Sequence, residues 1–444
     1  MALAWVQITE KESKAIFVYT DGRFAPAVTL YSPIFTMRIL RGVHRIGYAN
    51  TGMLLKILFW VLVAGVFYTY AGYAMLAWLW VRLRFPGRGI KREPDTLPSV
   101  SLIIPAYNEA GIIADKIRNS LSLQYPATLL QVVVITDGST DSTPALAASF
   151  PGIEHLHQPE RKGKIAALNR AAAFVSGRDI LVFSDANTML NPEAIQRLVV
   201  HYQDALVGGV SGEKKVLHAE GSAAAAGEEG MYWRYESAMK KLDAALHSLV
   251  GAAGELFSMR ASLFQAIPED IILDDFYISM KICERGYLVK YEPAAFAAEK
   301  PSMSISDEKE RKIRISAGAF QAMKRLGYLA NPFRYGMLGF QFLSRRVMRW
   351  VFCPIALPLI FIINVLLVFR QDTPFWLYQG ILILQSACYF FALVGWAIAR
   401  GNGPRIWVFS LPFYFTFMNL SVWLGFARFI RGGQSALWQK ASRV

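Results

Sequence analysis

The chain has 444 residues, 54% of them hydrophobic, with a mean hydropathy of +0.30 and a formal net charge of +14. This composition excludes a single soluble domain and indicates a membrane protein with a soluble part. The positive charge fits basic flanks of apolar spans, and no separate basic face with interleaved aromatic residues suggests nucleic-acid binding. Cys283, Cys353 and Cys388 lack metal-ligand spacing, so we expect no zinc site and no disulfide framework, in keeping with a reducing cytosolic domain.

Residues 53–82 are predicted to form the first transmembrane helix, because the apolar run 53–80 exceeds the roughly 20 residues that cross a bilayer. A basic segment at 82–92 follows, which places the next part of the chain in the cytosol. Residues 1–52 show no strong periodicity. We interpret them as an N-terminal extension of unknown role, with the hypothesis that it is dispensable and read from an upstream start codon.

Residues 98–304 alternate apolar strands with helical patterns. This alternation predicts an α/β domain whose sheet is parallel and covered on both faces. Ligands of such sheets bind at the carboxyl ends of the strands. The polar clusters that follow predicted strands are 107–109, 137–141 and 185–187.

Two of these clusters, at 107–109 and 137–141, and the segment at Lys164 suit the binding of a nucleotide. The segment at Tyr107 and Glu109 joins a strand end to a helix, where backbone N–H groups can bind an anion, although an ordinary turn and N-cap would look alike. The Asp137 carboxylate could accept hydrogen bonds from a base or ribose, or could belong to a common turn. Lys164 opens a helix, where a cation opposes the helix dipole unless an anion such as a diphosphate compensates; the alternative is a solvated basic loop.

Asp185 and Asn187 stand two residues apart directly after an apolar strand. Two such oxygen ligands can share one hard divalent cation, which is how proteins hold a metal bound to a diphosphate. Asp274 and Asp275 are adjacent, so that repulsion could raise the pKa of one carboxyl and suit it to general-base work; a capping pair is the alternative. The small residues up to Gly254 and Glu255 would allow a ligand close approach, or simply form a tight turn.

The C-terminal third is predicted to be largely membrane-associated. Residues 305–350 mix basic with apolar side chains, as amphipathic interface helices do, and 351–430 contain about three further apolar spans. The basic tail 431–444 raises a conflict. Four spans around a cytosolic domain put the tail outside, whereas the positive-inside rule favours the cytosol, so its side stays open.

The ordered motifs resemble those of the membrane-embedded family 2 glycosyltransferases, which include cellulose, hyaluronan, chitin and poly-N-acetylglucosamine synthases. The motifs are IPAYNE, VITDGSTDST, GKIAALN, FSDANT, GAAGELFSMR, LDDFYISMKICERGYLVKYEP and RKIRI. The resemblance covers roughly 98–350. It implies a GT-A-like, Rossmann-like mixed-sheet domain inserted between transmembrane helices, multi-pass in the cell membrane with its catalytic domain in the cytosol. It also implies inverting transfer from a nucleotide sugar, usually a UDP-sugar, with Mg²⁺ or Mn²⁺.

The resemblance also implies roles for individual residues. Asp185 and Asn187 would hold the metal, and Asp275, beside Asp274, would deprotonate the acceptor hydroxyl. Gly254 and Glu255 are candidates for approach to the acceptor. The nucleotide sugar would be bound by Tyr107, Glu109, Asp137, Lys164, Asp185 and Arg314.

Three departures from the family pattern concern a metal ligand, the residue beside the base and the motif that contacts the acceptor. Asn187 stands where the family usually has Asp, and Asp274 where it usually has Glu. The Gln-x-x-Arg-Trp motif of processive synthases is reduced to Arg314 followed by Ile315. A second Arg-Trp pair, Arg349 and Trp350, we interpret as an interfacial anchor.

The leading interpretation is a glycosyltransferase that extends a cell-surface polysaccharide, with or without moving it through its own spans. A second is the transfer of a single sugar to a lipid-linked acceptor, which the altered motif favours. A third, of another class, is a non-catalytic subunit that binds nucleotide sugar within a secretion complex. The partners implied are the lipid bilayer, a glycan or lipid-linked acceptor and secretion-complex subunits.

Overall fold

The computed structural model describes the backbone of residues 14–20 and 23–30 and, further along the chain, residues 51–84, 96–175, 177–216, 223–299, 305–370, 375–401 and 406–432. Most of the predicted N-terminal extension and of the basic tail lies outside these residues.

The elements are numbered in chain order. The strands are β1 (Lys14–Thr20), β2 (Arg23–Leu30), β3 (Val100–Ala106), β4 (Leu130–Asp137), β5 (Glu154–Gln158), β6 (Ile180–Ser184), β7 (Thr188–Leu190), β8 (Val207–Val216), β9 (Leu256–Arg260) and β10 (Leu288–Glu299). The helices are α1 (Thr51–Arg84), α2 (Ile113–Leu121), α3 (Thr143–Ala148), α4 (Lys164–Phe174), α5 (Ala194–Val199), α6 (Ala223–Leu246), α7 (Asp274–Glu284), α8 (Ile305–Leu326), α9 (Pro332–Phe342), α10 (Cys353–Val368), α11 (Phe375–Arg400) and α12 (Trp407–Ile430).

The central feature is an eight-stranded sheet with the order β5-β4-β3-β6-β9-β8-β10-β7. Strands β3, β4, β5 and β6 are parallel, as the alternating pattern predicts. Strand β9 then runs antiparallel to both β6 and β8, and β7 runs antiparallel to β10. The sheet is therefore mixed, which confirms the α/β class and the mixed sheet that the family resemblance implies. The strand–helix alternation alone predicts a parallel sheet, which is wrong for β7 and β9. A separate two-stranded antiparallel sheet pairs β1 with β2.

Successive side chains of the buried strands serve opposite faces of the sheet. Ile103 and Val133 pack with Leu168 of α4 in one apolar cluster. Leu102 and Val134 pack in another cluster, which also contains the apolar residues of α2. The alternation follows from the two-residue period of a strand. Because β4, β3 and β6 are neighbours, the polar segments after them meet at one edge of the sheet.

Within the part of the chain that the structure describes, four helices are long and apolar enough to cross a membrane: Thr51–Arg84, Pro332–Val368, Trp376–Arg400 and Trp407–Ile430. The second of these starts well before residue 351, where the sequence predicts the span to begin. It continues from α9 through a π-helical segment, Leu343–Phe352, into α10. Of the predicted interface region, α8 is a separate helix, and the helical segment that begins at Pro332 is interrupted at Gly336, whose φ of 54° and ψ of −128° are not helical.

A buried ionic cluster joins α1, α6 and the π-helical segment. Arg345 Nε donates to Asp243 Oδ2 at 2.8 Å, and the Tyr73 hydroxyl donates to the other oxygen of Asp243 at 2.5 Å. Glu236 pairs with both Arg345 and Arg349. Asp243 is 1% exposed and Arg345 is 5% exposed, so each charge depends on its partner for solvation.

We expect Asp243→Leu to lower the free energy of unfolding by about 3–5 kcal/mol, because it leaves the buried Arg345 guanidinium without its closest counter-charge. The double variant Asp243→Leu/Arg345→Met removes both charges and should recover much of the loss. Thermal unfolding of the detergent-solubilised chain measures both. Equal destabilisation by the single and double variants would contradict this view of the cluster.

Candidate active site

Asp137 fastens the end of β4 to the loop that precedes α4. Its Oδ2 accepts hydrogen bonds from the backbone N–H groups of Lys162 at 3.0 Å and Gly163 at 2.6 Å. Its Oδ1 lies 3.4 Å from Arg170 Nη1. The carboxylate is 5% exposed. Asp137 therefore shapes the basic loop as well as lining the pocket described below.

The segment after β3 is held against the segment after β4 by Asn108, whose backbone is left-handed with φ 54°. Asn108 N donates to Ser139 Oγ at 3.1 Å, and Asn108 Oδ1 accepts from the backbone N–H of Thr140 at 2.8 Å. Asn tolerates this backbone region better than most residues because its side chain bonds locally. Glu109 is 7% exposed, and its backbone N–H is bound by Thr143 Oγ1 at 2.8 Å.

A pocket opens at the carboxyl ends of β3 and β4. The Arg161 guanidinium lies 3.8 Å from the centre of the Tyr107 ring, which makes a flat, cationic wall. Of the predicted nucleotide residues, Tyr107, Asp137 and Lys164 line this pocket, whereas Glu109 does not. The lining residues are Pro105, Ala106, Tyr107, Asp137, Arg161, Gly163, Lys164 and Ala167.

Lys164, the first residue of α4, joins two other predicted motifs. Its Nζ lies 3.0 Å from Asp185 Oδ1 and 3.1 Å from Asp274 Oδ2. Burial acts to lower the pKa of Lys164, but the charges of Asp185 and Asp274 outweigh it and hold that pKa above its usual value. The ammonium group of Lys164 therefore stays charged. Lys164, Asp185 and Asp274 belong to three motifs that are far apart in the sequence, and they meet at the Nζ atom.

Asp185 and Asn187 project from the turn between β6 and β7, with fully buried Ala186 between them. Among the described residues, no group of three or more His, Cys, Asp or Glu side chains is arranged to hold a metal ion. The oxygen atoms of Asp185 and Asn187 nevertheless suit Mg²⁺ or Mn²⁺. In nucleotide sites these ions take one or two protein ligands and complete their coordination with phosphates and water. Asp185 and Asn187 could hold such an ion together with a diphosphate.

Asp275 is partly buried and has the properties of a base. Burial, reinforced by the neighbouring charge of Asp274, raises the pKa of Asp275 to about 7, although Lys164 acts against this shift. A Cβ added at Gly254 would lie 3.2 Å from Asp275 Oδ2. The predicted small-residue segment therefore packs directly against this carboxylate, and Gly254 leaves it room.

Glu255 is placed differently from Gly254. Its Oε1 lies 2.5 Å from Lys214 Nζ, and Lys214 also pairs with Glu299. Although burial alone would raise the pKa of Glu255, the Lys214 charge lowers it to about 2. The carboxylate is thus committed to an internal ion pair at the base of the segment.

Arg314 faces the acidic pair from α8. Burial lowers the pKa of its guanidinium, and the charge of Asp274 partly offsets this. The following residue, Ile315, is 39% exposed. Arg314 is therefore available near the carboxylates, and no aromatic side chain follows it on that helix turn.

The second Arg-Trp pair, Arg349 and Trp350, is partly buried and makes contacts within the protein. The Trp350 ring centre lies 5.4 Å from that of Phe276, the residue after the predicted base, and Arg349 pairs with Glu236. Arg346 lies over both rings and donates to the Val250 carbonyl, with Nε at 2.8 Å. This π-helical segment therefore supports the 250–254 loop and the start of α7.

Sequence reasoning missed four cations that support the site. Arg170, Lys214 and Arg346 hold carboxylates or carbonyls through contacts distant in sequence, which no local pattern reveals. Lys116 had a signal: it shares the buried face of α2 with Ile113 and Ile117. A lysine at the apolar positions of an amphipathic helix indicates a buried charge.

Gly138 offers a test of how closely the loop after β4 approaches the loop before α4. It has φ +63°, and a Cβ there would lie 2.4 Å from Arg161 Cβ and 2.6 Å from its Cα. We expect Gly138→Ala to destabilise the protein by roughly 1–3 kcal/mol through backbone strain, with the clash adding to this. Gly111→Ala is the matched control, because a Cβ there meets nothing within 4 Å. Equal melting temperatures for the two variants would contradict the close approach.

The chain is similar to known proteins in sequence and in fold. Residues 101–264 match the family model described as Glycosyl transferase family 2. The poly-beta-1,6-N-acetyl-D-glucosamine synthase of Staphylococcus aureus is 25% identical over 239 residues, which are 52% of this chain and 57% of that protein. An N-acetylglucosaminyltransferase of Mesorhizobium japonicum is 24% identical over 257 residues, 53% of this chain and 59% of its own. The alignments thus span less than two thirds of these relatives.

A solved structure extends the likeness beyond the matched family region. The mannosyltransferase PcManGT from Pyrobaculum calidifontis, in complex with GDP-Man and Mn²⁺, superposes with a TM-score of 0.66 at 21% identity. The superposition covers 86% of this chain and 100% of that one. At this identity the likeness establishes the fold.

Proposed function

We propose that this chain, which carries a glycosyltransferase family 2 domain with the GT-A fold, transfers a sugar from a nucleoside diphosphate sugar to a glycan acceptor at the membrane. The observation that carries the proposal is the position of Lys164 Nζ, 3.0 Å from Asp185 and 3.1 Å from Asp274. It brings together a nucleotide pocket, a pair of cation ligands and a carboxyl base, which are the parts that this reaction needs.

Charge explains why donor binding would depend on a divalent cation. Asp185 and Asp274 carry two negative charges around the single ammonium of Lys164, so their sum is −1, and an ionised Asp275 adds a further −1. A diphosphate would be repelled by this group. Mg²⁺ or Mn²⁺ held by Asp185 and Asn187 would offset this negative charge and, as a Lewis acid, would stabilise the departing phosphate.

The chain's own residues divide the chemistry among them. Tyr107, Arg161 and Asp137 would hold the nucleoside, and Asp275 would accept the proton from the attacking acceptor hydroxyl. That oxygen forms a bond to the anomeric carbon while the bond to the phosphate oxygen breaks, with inversion. Lys164 and Arg314 would then face the negative charge of the nucleoside diphosphate leaving group.

UDP-N-acetylglucosamine is the first donor to test, since both relatives named above carry N-acetylglucosamine in their names. The acceptor would be a growing polysaccharide, extended at the cytosolic side of a multi-pass membrane protein. A non-catalytic subunit would not need a base with a raised pKa beside the nucleotide pocket, so Asp275 favours the enzyme.

A second candidate is the addition of one sugar to a lipid-linked acceptor. The observation that favours it is Ile315, which stands where processive relatives place a tryptophan and is 39% exposed. Without an aromatic platform at this position, a long glycan would have one stacking contact fewer after each addition.

Nucleotide release and product size test both candidates. Purified protein in nanodiscs is incubated with Mn²⁺ and a panel of UDP- and GDP-sugars. We expect one donor to be turned over, with Asp275→Asn lowering the rate at least about 100-fold, since removal of a general base costs this much. Asp115→Asn, an exposed aspartate on α2, is the matched control. A high-mass product supports the synthase, and a one-sugar product supports the lipid-linked alternative. Turnover unaffected by Asp275→Asn would refute the mechanism.

The pH profile tests the role of Asp275 separately. A base must be ionised, and because its pKa is raised to about 7, kcat/KM should rise with pH and level off above about 7. Asp274→Asn removes the like charge that helps to raise this pKa, so the midpoint should move to lower pH, with Lys164 and Glu255 still facing the base. A midpoint that stays in place, or moves upward, would contradict the assignment.

A further inference from the structure

Lys116 is a buried cation on the other side of the cation-binding turn, and the proposed mechanism does not use it. The side chain is 0% exposed. Its Nζ donates to Ser184 Oγ at 2.7 Å and to the Thr188 carbonyl at 2.7 Å. These two residues flank Asp185 and Asn187, so the ammonium group spans the turn that carries both proposed metal ligands.

The neighbouring contacts make the turn a closed network. Thr188 Oγ1 donates to the Asp185 carbonyl at 3.0 Å, and Ser184 Oγ donates to the Glu255 carbonyl at 3.2 Å. One helical turn further along α2, Asn119 Nδ2 donates to the Leu190 carbonyl at 2.9 Å, and Asn119 Oδ1 accepts from Leu190 N at 2.8 Å. Helix α2 thus holds the chain from Ser184 to Leu190 through hydrogen bonds near both of its ends.

Two lysines therefore meet this turn from opposite faces of the sheet. Lys164 belongs to α4, whose apolar residues share a core with Ile103 and Val133. Lys116 belongs to α2, which packs on the face formed by Leu102 and Val134. Lys164 touches the Asp185 side chain, whereas Lys116 touches only the backbone and the hydroxyl on either side of it.

Packing alone does not account for a lysine at this position. Burial lowers the pKa of the Lys116 amino group to about 7, which shows that its hydrogen bonds to a hydroxyl and a carbonyl do not offset the desolvation cost of the charged form. A methionine would fill the same space without that cost. What the amino group supplies is two directed hydrogen bonds that fix both ends of the turn.

We propose that Lys116 is a positioning residue for the cation site: it holds the Ser184–Thr188 turn so that Asp185 and Asn187 present their oxygens together to a divalent ion. The proposal rests on the proposed function, because it assumes that these two residues are the ligands. Residues that orient metal ligands typically change metal affinity by about 10–100-fold when they are replaced.

The test compares Lys116→Met with Lys241→Met, an exposed lysine on α6, in the full-length chain. Binding of Mn²⁺ in the presence of UDP, and separately of GDP, is followed by the electron paramagnetic resonance signal of free Mn²⁺. We expect Lys116→Met to weaken Mn²⁺ binding about 10–100-fold while its melting temperature stays at or above that of the wild type. Lys241→Met should match the wild type in both.

Further variants make the outcomes separable. Ser184→Ala keeps the Lys116 bond to Thr188 and should give a smaller loss, and it serves as the reporter if Lys116→Met does not fold. Asp185→Ala tests the cation site itself. In one outcome, Asp185→Ala abolishes Mn²⁺ binding while Lys116→Met and Ser184→Ala leave it unchanged. That outcome refutes the role of Lys116 and leaves the proposed cation site standing. If Asp185→Ala has no effect on Mn²⁺ binding, the proposed cation site fails with it.

Discussion

The ion pairs of Lys164 are the interaction on which the site depends. A single ammonium at the start of α4 touches a carboxylate from the β6–β7 turn and another from the start of α7. Without it, three aspartates at the same edge of the sheet would repel one another. The loop before α4 is in turn fixed by Asp137, so that the position of the lysine is set by the end of β4. Strand order, loop shape and charge balance are therefore parts of one arrangement.

The sequence predicts the strands and motifs of this arrangement better than the strand directions and the side-chain contacts between distant residues. Apolar runs ending in polar clusters located β3, β4 and β6, and the motif series resembles the family whose model matches residues 101–264. The reversed direction of β9 was not predicted, because the apolar pattern of a buried strand is the same in either direction. Nor did any pattern reveal that Glu255 is engaged by Lys214 or that Trp350 packs on Phe276. Those contacts join residues distant in sequence, and only the fold brings them together.

Several buried ionisable side chains surround the site, and the packing of the core does not require them. Lys116 on α2, Lys214 on β8 and Glu255 just before β9 are held by hydrogen bonds of defined direction. Such groups add little net stability compared with apolar residues of similar size. They do, however, restrict the turns that they bind to one conformation. A reaction that must align a cation, a diphosphate and a hydroxyl benefits from this restriction, because small displacements of reacting groups cost large factors in rate.

The proposed base is also connected to the apolar part of the chain. Asp275 Oδ1 accepts a hydrogen bond from the Phe276 backbone N–H at 2.8 Å, and the Phe276 ring packs between Phe342 and Trp350. Both partners lie after the break at Gly336 in the helical segment Pro332–Val368, which is long and apolar enough to cross a membrane. Arg346 of the same segment binds the Val250 carbonyl and thereby the loop that faces Asp275. A shift of this segment would therefore move the proposed base and the loop together relative to α4, which Asp137 holds at the sheet.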